Sequence, residues 1–123
     1  MALKSITHGC EELAPGHHLA RHRHLAPYAI VIVRGGFEQD GYAGRVRVRP
    51  GDLLVQPTLD AHCNRMPGGR GATIVRLPWP DVDDLGGVRA LPDLDAVVRA
   101  AERDPRAALA AVRAQLPRAT PRP

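Results

Sequence analysis

Between His18 and Pro80, short apolar or alternating segments are interrupted again and again by glycine and proline. That punctuation leaves no room for a long helix there and favours many strands joined by turns. His18 to Phe37 reads as two strands broken near Ala26-Pro27, because proline cannot donate to a sheet ladder. Phe37 to Tyr42 is a further strand, and Arg45 to Arg49 alternates strictly, with Val46 and Val48 on the buried side. Pro50-Gly51 is a tight turn, since proline presets φ at one central position and glycine accepts positive φ at the next. Asp52 to Gln56, Leu59 to Asn64 and Ala72 to Leu77 complete at least seven short strands, closed by Pro78-Trp79-Pro80. Such a series predicts a sandwich or barrel.

Aromatic content is only 3%, so the core must be built from Val, Leu, Ile and Ala. The 123 residues fit one packed unit. After residue 80 the pattern changes. Leu94, Val97, Val98 and Ala101 recur at helical spacing, and Asp104-Pro105 reads as an N-cap with proline at the first helical position. Leu109, Val112 and Leu116 form the stripe of a second helix. The expected organisation is a β-barrel over 1–80, a helical extension over 81–117 and a disordered tail over 118–123. No apolar run approaches the length that spans a bilayer, and no signal-peptide pattern follows Lys4, so a cytoplasmic protein is expected. Cys10 and Cys63 are then expected to be free thiols.

The formal charge is +4, carried by sixteen arginines and one lysine against 13 acidic residues. Arg45, Arg47 and Arg49 alternate with valine, which makes a solvated strand face, and no basic block is interleaved with aromatics. Direct nucleic-acid binding by this chain alone is therefore not expected. No P-loop, dinucleotide glycine motif or Ser-His-Asp order is present.

The chemistry-bearing stretch is Gly16-His17-His18-Leu19-Ala20-Arg21-His22-Arg23-His24. Side chains at i and i+2 of a strand leave from one face, so His22 and His24 can grip one metal ion together. His18 shares their parity if the strand is unbroken, and so is a candidate lining residue; Arg21 and Arg23 fall on the other face. His62 is the third candidate ligand, and Cys63 beside it belongs to the opposite face. The competing reading is a set of hydrogen-bonded histidines without metal. Three neutral imidazoles suit a divalent Zn, Fe, Ni, Mn or Cu ion, and three protein ligands leave positions open for water or substrate.

With His22, His24 and His62 placed, the chain resembles the cupin superfamily. The first cupin motif is matched by Gly16, His22, His24 and Gly35, with Tyr28 where a glutamate ligand is usual. The second is matched by Gly51, Pro57 and His62, with Leu59 and Met66 where glycine and asparagine are usual. The resemblance implies a mainly β, cupin-type double-stranded β-helix (a jelly-roll barrel) with one or two C-terminal α-helices. It also implies a metal on His22, His24 and His62. Tyr28 is then a fourth ligand, an acid or a packing residue, and Met66 lines the pocket beside His18. The runs Tyr28 to Arg45 and Arg49 to Leu54 are similar to the N-terminal domain of AraC-type transcription regulators. In that family the cupin domain senses a small-molecule ligand or forms a homodimer, and a DNA-binding domain would begin about where residue 123 lies. This chain is thus expected to be a domain of a longer regulator or a stand-alone relative. Three functions are weighed: a metal-binding, ligand-sensing and dimerisation module, a stand-alone metal-dependent oxygenase or isomerase, or a cupin that has lost its metal and acts only as a dimerising protein.

Overall fold

The computed structural model describes residues 3–4, 9–13, 18–24, 28–41, 44–56, 62–65, 71–79 and 88–122; for 18–24 and 62–65 it gives backbone and strand register. The strands are β1 (Leu3–Lys4), β2 (Gly9–Leu13), β3 (His18–His24), β4 (Tyr28–Arg34), β5 (Phe37–Gly41) and β6 (Gly44–Val48). They continue with β7 (Asp52–Gln56), β8 (His62–Arg65), β9 (Ala72–Pro78) and β10 (Val88–Ala90). Two helices, α1 (Leu94–Ala101) and α2 (Pro105–Gln115), precede a last strand, β11 (Thr120–Arg122).

The strands form two sheets. A small sheet runs β1-β3-β8-β5-β6 and a large one β11-β10-β7-β4-β9-β2. Neighbours in each sheet are mostly distant in sequence, as jelly-roll topology requires: β3 pairs with β8, and β4 with both β7 and β9. The central strands of the large sheet are apolar on both faces, so they are buried twice. Tyr28, Ile30, Ile32, Leu54 and Ile74 pack between the sheets with Phe37 and Val48 of the small sheet. Ala29, Val31, Leu53, Val55, Val75 and Leu77 pack on the other side, against Val97, Ala100, Ala108 and Val112 of the helices. The result is three layers: small sheet, large sheet, helices.

Turn chemistry sets the register. Gly51 has φ +89, as the Pro50-Gly51 turn demands. The buried Asp52 carboxylate accepts the Arg49 N–H at 2.9 Å and pins the turn's entry. Gly35 has φ +75, and a Cβ there would collide with the Gly71 carbonyl oxygen. Arg45, Arg47 and Arg49 are exposed while Val48 is buried, which is the alternation read from the sequence. Both helices begin on aspartate caps: Asp93 accepts from the Ala96 N–H and Asp104 from the Ala107 N–H.

Two expectations are corrected. Thr120–Arg122, read as disordered tail, pairs antiparallel with β10 as β11, with Pro121 in register with Arg89. β11 is an edge strand, where proline's missing donor costs no ladder bond on the open side. Trp79 is buried in the layer between large sheet and helices. The helical extension is also not wholly helical: Val88–Ala90 pairs with β7 before α1 begins.

Candidate functional site

The small sheet carries the histidines, and described residues identify its inner face. Phe37, Gln39 and Val48 are buried, whereas Arg45 and Arg47 on the alternate positions are exposed. Pairing of β5 with β8 sets Gln39 opposite Asn64 and Asp40 opposite Cys63. Asn64 therefore shares the inner face of Phe37, and so does His62, two residues away. Pairing of β3 with β8 sets His22 directly opposite His62. Partners in an antiparallel ladder have Cα atoms about 4.5–5.5 Å apart. His24 follows His22 by two residues on the same strand. By register, His22 and His62 are cross-strand partners and His24 follows His22 two residues along β3, so the three take same-face backbone positions.

The register also separates His18 from this group. Between the Leu19–Asn64 and His22–His62 pairs β3 has two residues, Ala20 and Arg21, where β8 has one, Cys63. This bulge inserts one residue and flips the parity of what precedes it. His18 pairs with Arg65, which pairs in turn with Glu38 on the outer face. The expectation that His18 lines the same cavity assumed an unbroken strand, and the bulge removes that premise. Cys63 lies at an outer-face position opposite Asp40, as its parity predicts. Met66, Leu59, His8 and His17 lie outside the described residues.

The facing wall is the inner surface of the large sheet. Tyr28 is 1% exposed there, at the glutamate position of the motif. Its ring packs with Ile30, Leu54 and their neighbours, and the Arg76 guanidinium carbon lies 5.1 Å from its centroid. Arg76 in turn donates from Nε to Glu11 at 3.0 Å. This Glu11–Arg76–Tyr28 array was not read from the sequence, because it joins β2, β9 and β4, which only the sheet order brings together. The chain reverses at Gly35-Gly36, so the Gly41 end of β5, level with the His22–His62 pair, returns to the Tyr28 end of the barrel.

Gln39 was also missed. It is 4% exposed, and among the described residues its Oε1 is buried without a hydrogen-bond partner. Buried amide oxygens are ordinarily satisfied, so an orphaned one marks a place where something polar belongs. Among residues whose side chains are described, no three His, Cys, Asp or Glu groups gather as a metal cluster; the histidine set is defined by register. Its donor types suit a first-row divalent ion: three histidines at same-face register positions on two adjacent strands. Such an ion would supply Lewis acidity to a bound oxygen atom. Cys10 is a free, exposed thiol on the edge strand β2.

No protein-family model matches the chain, and no curated protein matches it. Solved structures do. DMSP lyase DddQ from Ruegeria pomeroyi DSS-3 is 21% identical with a TM-score of 0.50, over 64% of this chain and 39% of that one. A cupin 2 conserved barrel domain protein from Rhodopseudomonas palustris is 23% identical with a TM-score of 0.49, over 81% and 68%. KdgF from Halomonas sp. is 25% identical with a TM-score of 0.46, over 55% and 63%. The chain spans less than two thirds of the length of KdgF and of DddQ. The class defined by the two sheets, their crossed connections and the trailing helices is a mainly β jelly roll with two C-terminal helices. Among the described residues no helix is long and apolar enough to cross a membrane.

Proposed function

We propose that this chain is a metal-holding cupin domain whose barrel binds a small molecule. We further propose that it serves as the ligand-sensing and dimerisation module of an AraC-like transcription regulator in the cytoplasm. The observation that carries the metal reading is the direct pairing of His22 with His62 on the inner face, with His24 next along the strand. His22, His24 and His62 would hold the ion, and Tyr28 on the facing wall would close the chamber against water. Bound metal would polarise an oxygen of the ligand.

The sensing role is supported by layering. One residue of β4 faces the interior and the next faces the helices: Tyr28, Ile30 and Ile32 line one cluster, and Ala29 and Val31 the other. A ligand pressing on the inner face is therefore one sheet away from α1 and α2. Close-packed layers transmit such displacement because they have little free volume to absorb it. A second reading, turnover by a metal-dependent oxygenase or isomerase, is favoured by the ligand count. Three protein ligands leave coordination positions open.

The test is metal content by mass spectrometry of the full chain, purified after growth with added Zn, Fe, Ni, Mn or Cu. About one ion per chain is expected in the wild type, with at least a tenfold loss in His22→Ala and His62→Ala and folding retained by circular dichroism. Wild type below about a tenth of an ion per chain would reject the metal reading, since built three-imidazole sites bind tightly. With metal present, ligand-dependent stabilisation of a dimer without product formation supports sensing, and product formation supports the enzyme.

A further inference from the structure

Neither the histidines nor Tyr28 accounts for Gln39. It sits on β5, on the inner face of the small sheet, between Phe37 and Gly41. Its register partners are Asn64 on β8 and Val46 on β6, so its cross-strand row adjoins the row that holds His22 and His62. Neighbouring rows on one face are two residues, or roughly 7 Å, apart. A glutamine side chain spans most of that gap. On its own strand and on β6 the flanking inner positions are apolar, Phe37, Val46 and Val48, so packing on that side would be served better by valine or leucine. What stands there is an amide whose Oε1 is buried and, among the described residues, unpartnered. Leaving such an acceptor dry destabilises the fold unless a donor arrives.

We propose that Gln39 is the specificity residue of the chamber: its Oε1 accepts a hydrogen bond from a hydroxyl group of the bound small molecule. This rests on the reading of the barrel interior as a ligand chamber. Arg76, on the inner face of the large sheet, already pairs through Nε with Glu11, but its terminal guanidinium N–H groups can still meet a carboxylate, so the ligand class is a small hydroxy carboxylate. An acceptor that is satisfied only by ligand discriminates strongly against the analogue lacking the hydroxyl, because that analogue leaves it unpaired.

The experiment uses the full chain as wild type, Gln39→Leu and Gln39→Met, the second having an unbranched side chain of matching length. In metal-free protein, at least one variant is expected to melt a few degrees above wild type, since an unsatisfied buried acceptor has been removed. Lower melting temperatures in both would show that Oε1 is satisfied within the fold and would overturn the proposal. In zinc-loaded protein, glycolate and lactate are expected to raise the wild-type Tm by several degrees more than acetate and propionate. That difference should vanish in both variants. Equal shifts for hydroxy and deoxy acids in wild type, zero included, overturn the proposal, as does a hydroxyl preference that survives in the variants. Zinc content of the same samples separates the two readings. A wild type that holds no zinc yet keeps a preference dependent on Gln39 sinks the metal while the proposal stands.

Discussion

The joint between the two helices offers a prediction whose size follows from the structure. Gln115, the last residue of α2, is 3% exposed. Its Oε1 accepts the Asp93 N–H at 2.8 Å and its Nε2 donates to the Asp93 carbonyl at 2.8 Å. One side chain thus ties the end of α2 to the cap of α1. Gln115→Glu keeps the shape but replaces the donor with an oxygen facing the Asp93 carbonyl. Burial and that carbonyl both disfavour the anion, so the introduced carboxyl should titrate above the usual glutamate value of about 4.3. An ionised oxygen left buried against a carbonyl, in place of the amide donor, corresponds to about 3 kcal/mol of lost stability once the group is ionised in the unfolded chain. The sign is definite. Below the ordinary glutamate range the protonated carboxyl can donate to Asp93 and the deficit is small. As pH rises through the elevated folded value the deficit grows to its full size. Urea unfolding at pH 7 should show a loss of about 3 kcal/mol relative to wild type, or a fall in Tm of the order of 10 °C, shrinking to under about 1 kcal/mol near pH 4. A difference under about 0.5 kcal/mol at both pH values would refute the clamp. Metal content should not change, because the joint lies on the far side of the large sheet from the histidines.

Other outcomes follow from the same coordinates. Gly35→Ala should cost more than about 2 kcal/mol by thermal denaturation, because φ +75 and the Gly71 carbonyl oxygen both oppose a Cβ. Gly44→Ala, at φ +89 with nothing within 4 Å of the added carbon, should cost only about 1 kcal/mol. Phe37→Ala removes a ring that is 1% exposed between the sheets and should lower stability by about 3–5 kcal/mol in chemical denaturation. Asp104→Ala removes the cap on Ala107 and should cost about 1 kcal/mol, visible as a small loss of helical dichroism on heating.

Where the sequence was legible, one physical signal dominated: glycine and proline at turns, with apolar periodicity between them. Pro50-Gly51, the alternation from Arg45 to Arg49 and the Asp104-Pro105 start all report backbone constraints that a single residue type expresses. The bulge in β3 was not legible. It falls among Ala20 and Arg21, in a strand with few apolar residues, so no break in alternation announces it. It nevertheless decides which histidines share a face, and it sets His18 apart from His22. Gln39 escaped notice because Glu38-Gln39-Asp40 reads as uniformly polar, and only the pairing with β6 and β8 assigns one of the three to the interior. β11 escaped for a related reason. A short proline-containing tail has no pattern of its own, and its order comes from the open edge of β10. The Glu11–Arg76–Tyr28 array is long-range, and nothing local in any of its three strands points to it.

The central claim is that the interior of the small sheet gathers three imidazoles around one ion. Anomalous diffraction at the zinc edge, from crystals of zinc-loaded full chain, tests this most directly. A single strong peak is expected about 2.0–2.1 Å from ring nitrogens of His22, His24 and His62. A chamber without a peak, with those rings hydrogen-bonded to protein or zinc bound elsewhere, would contradict it.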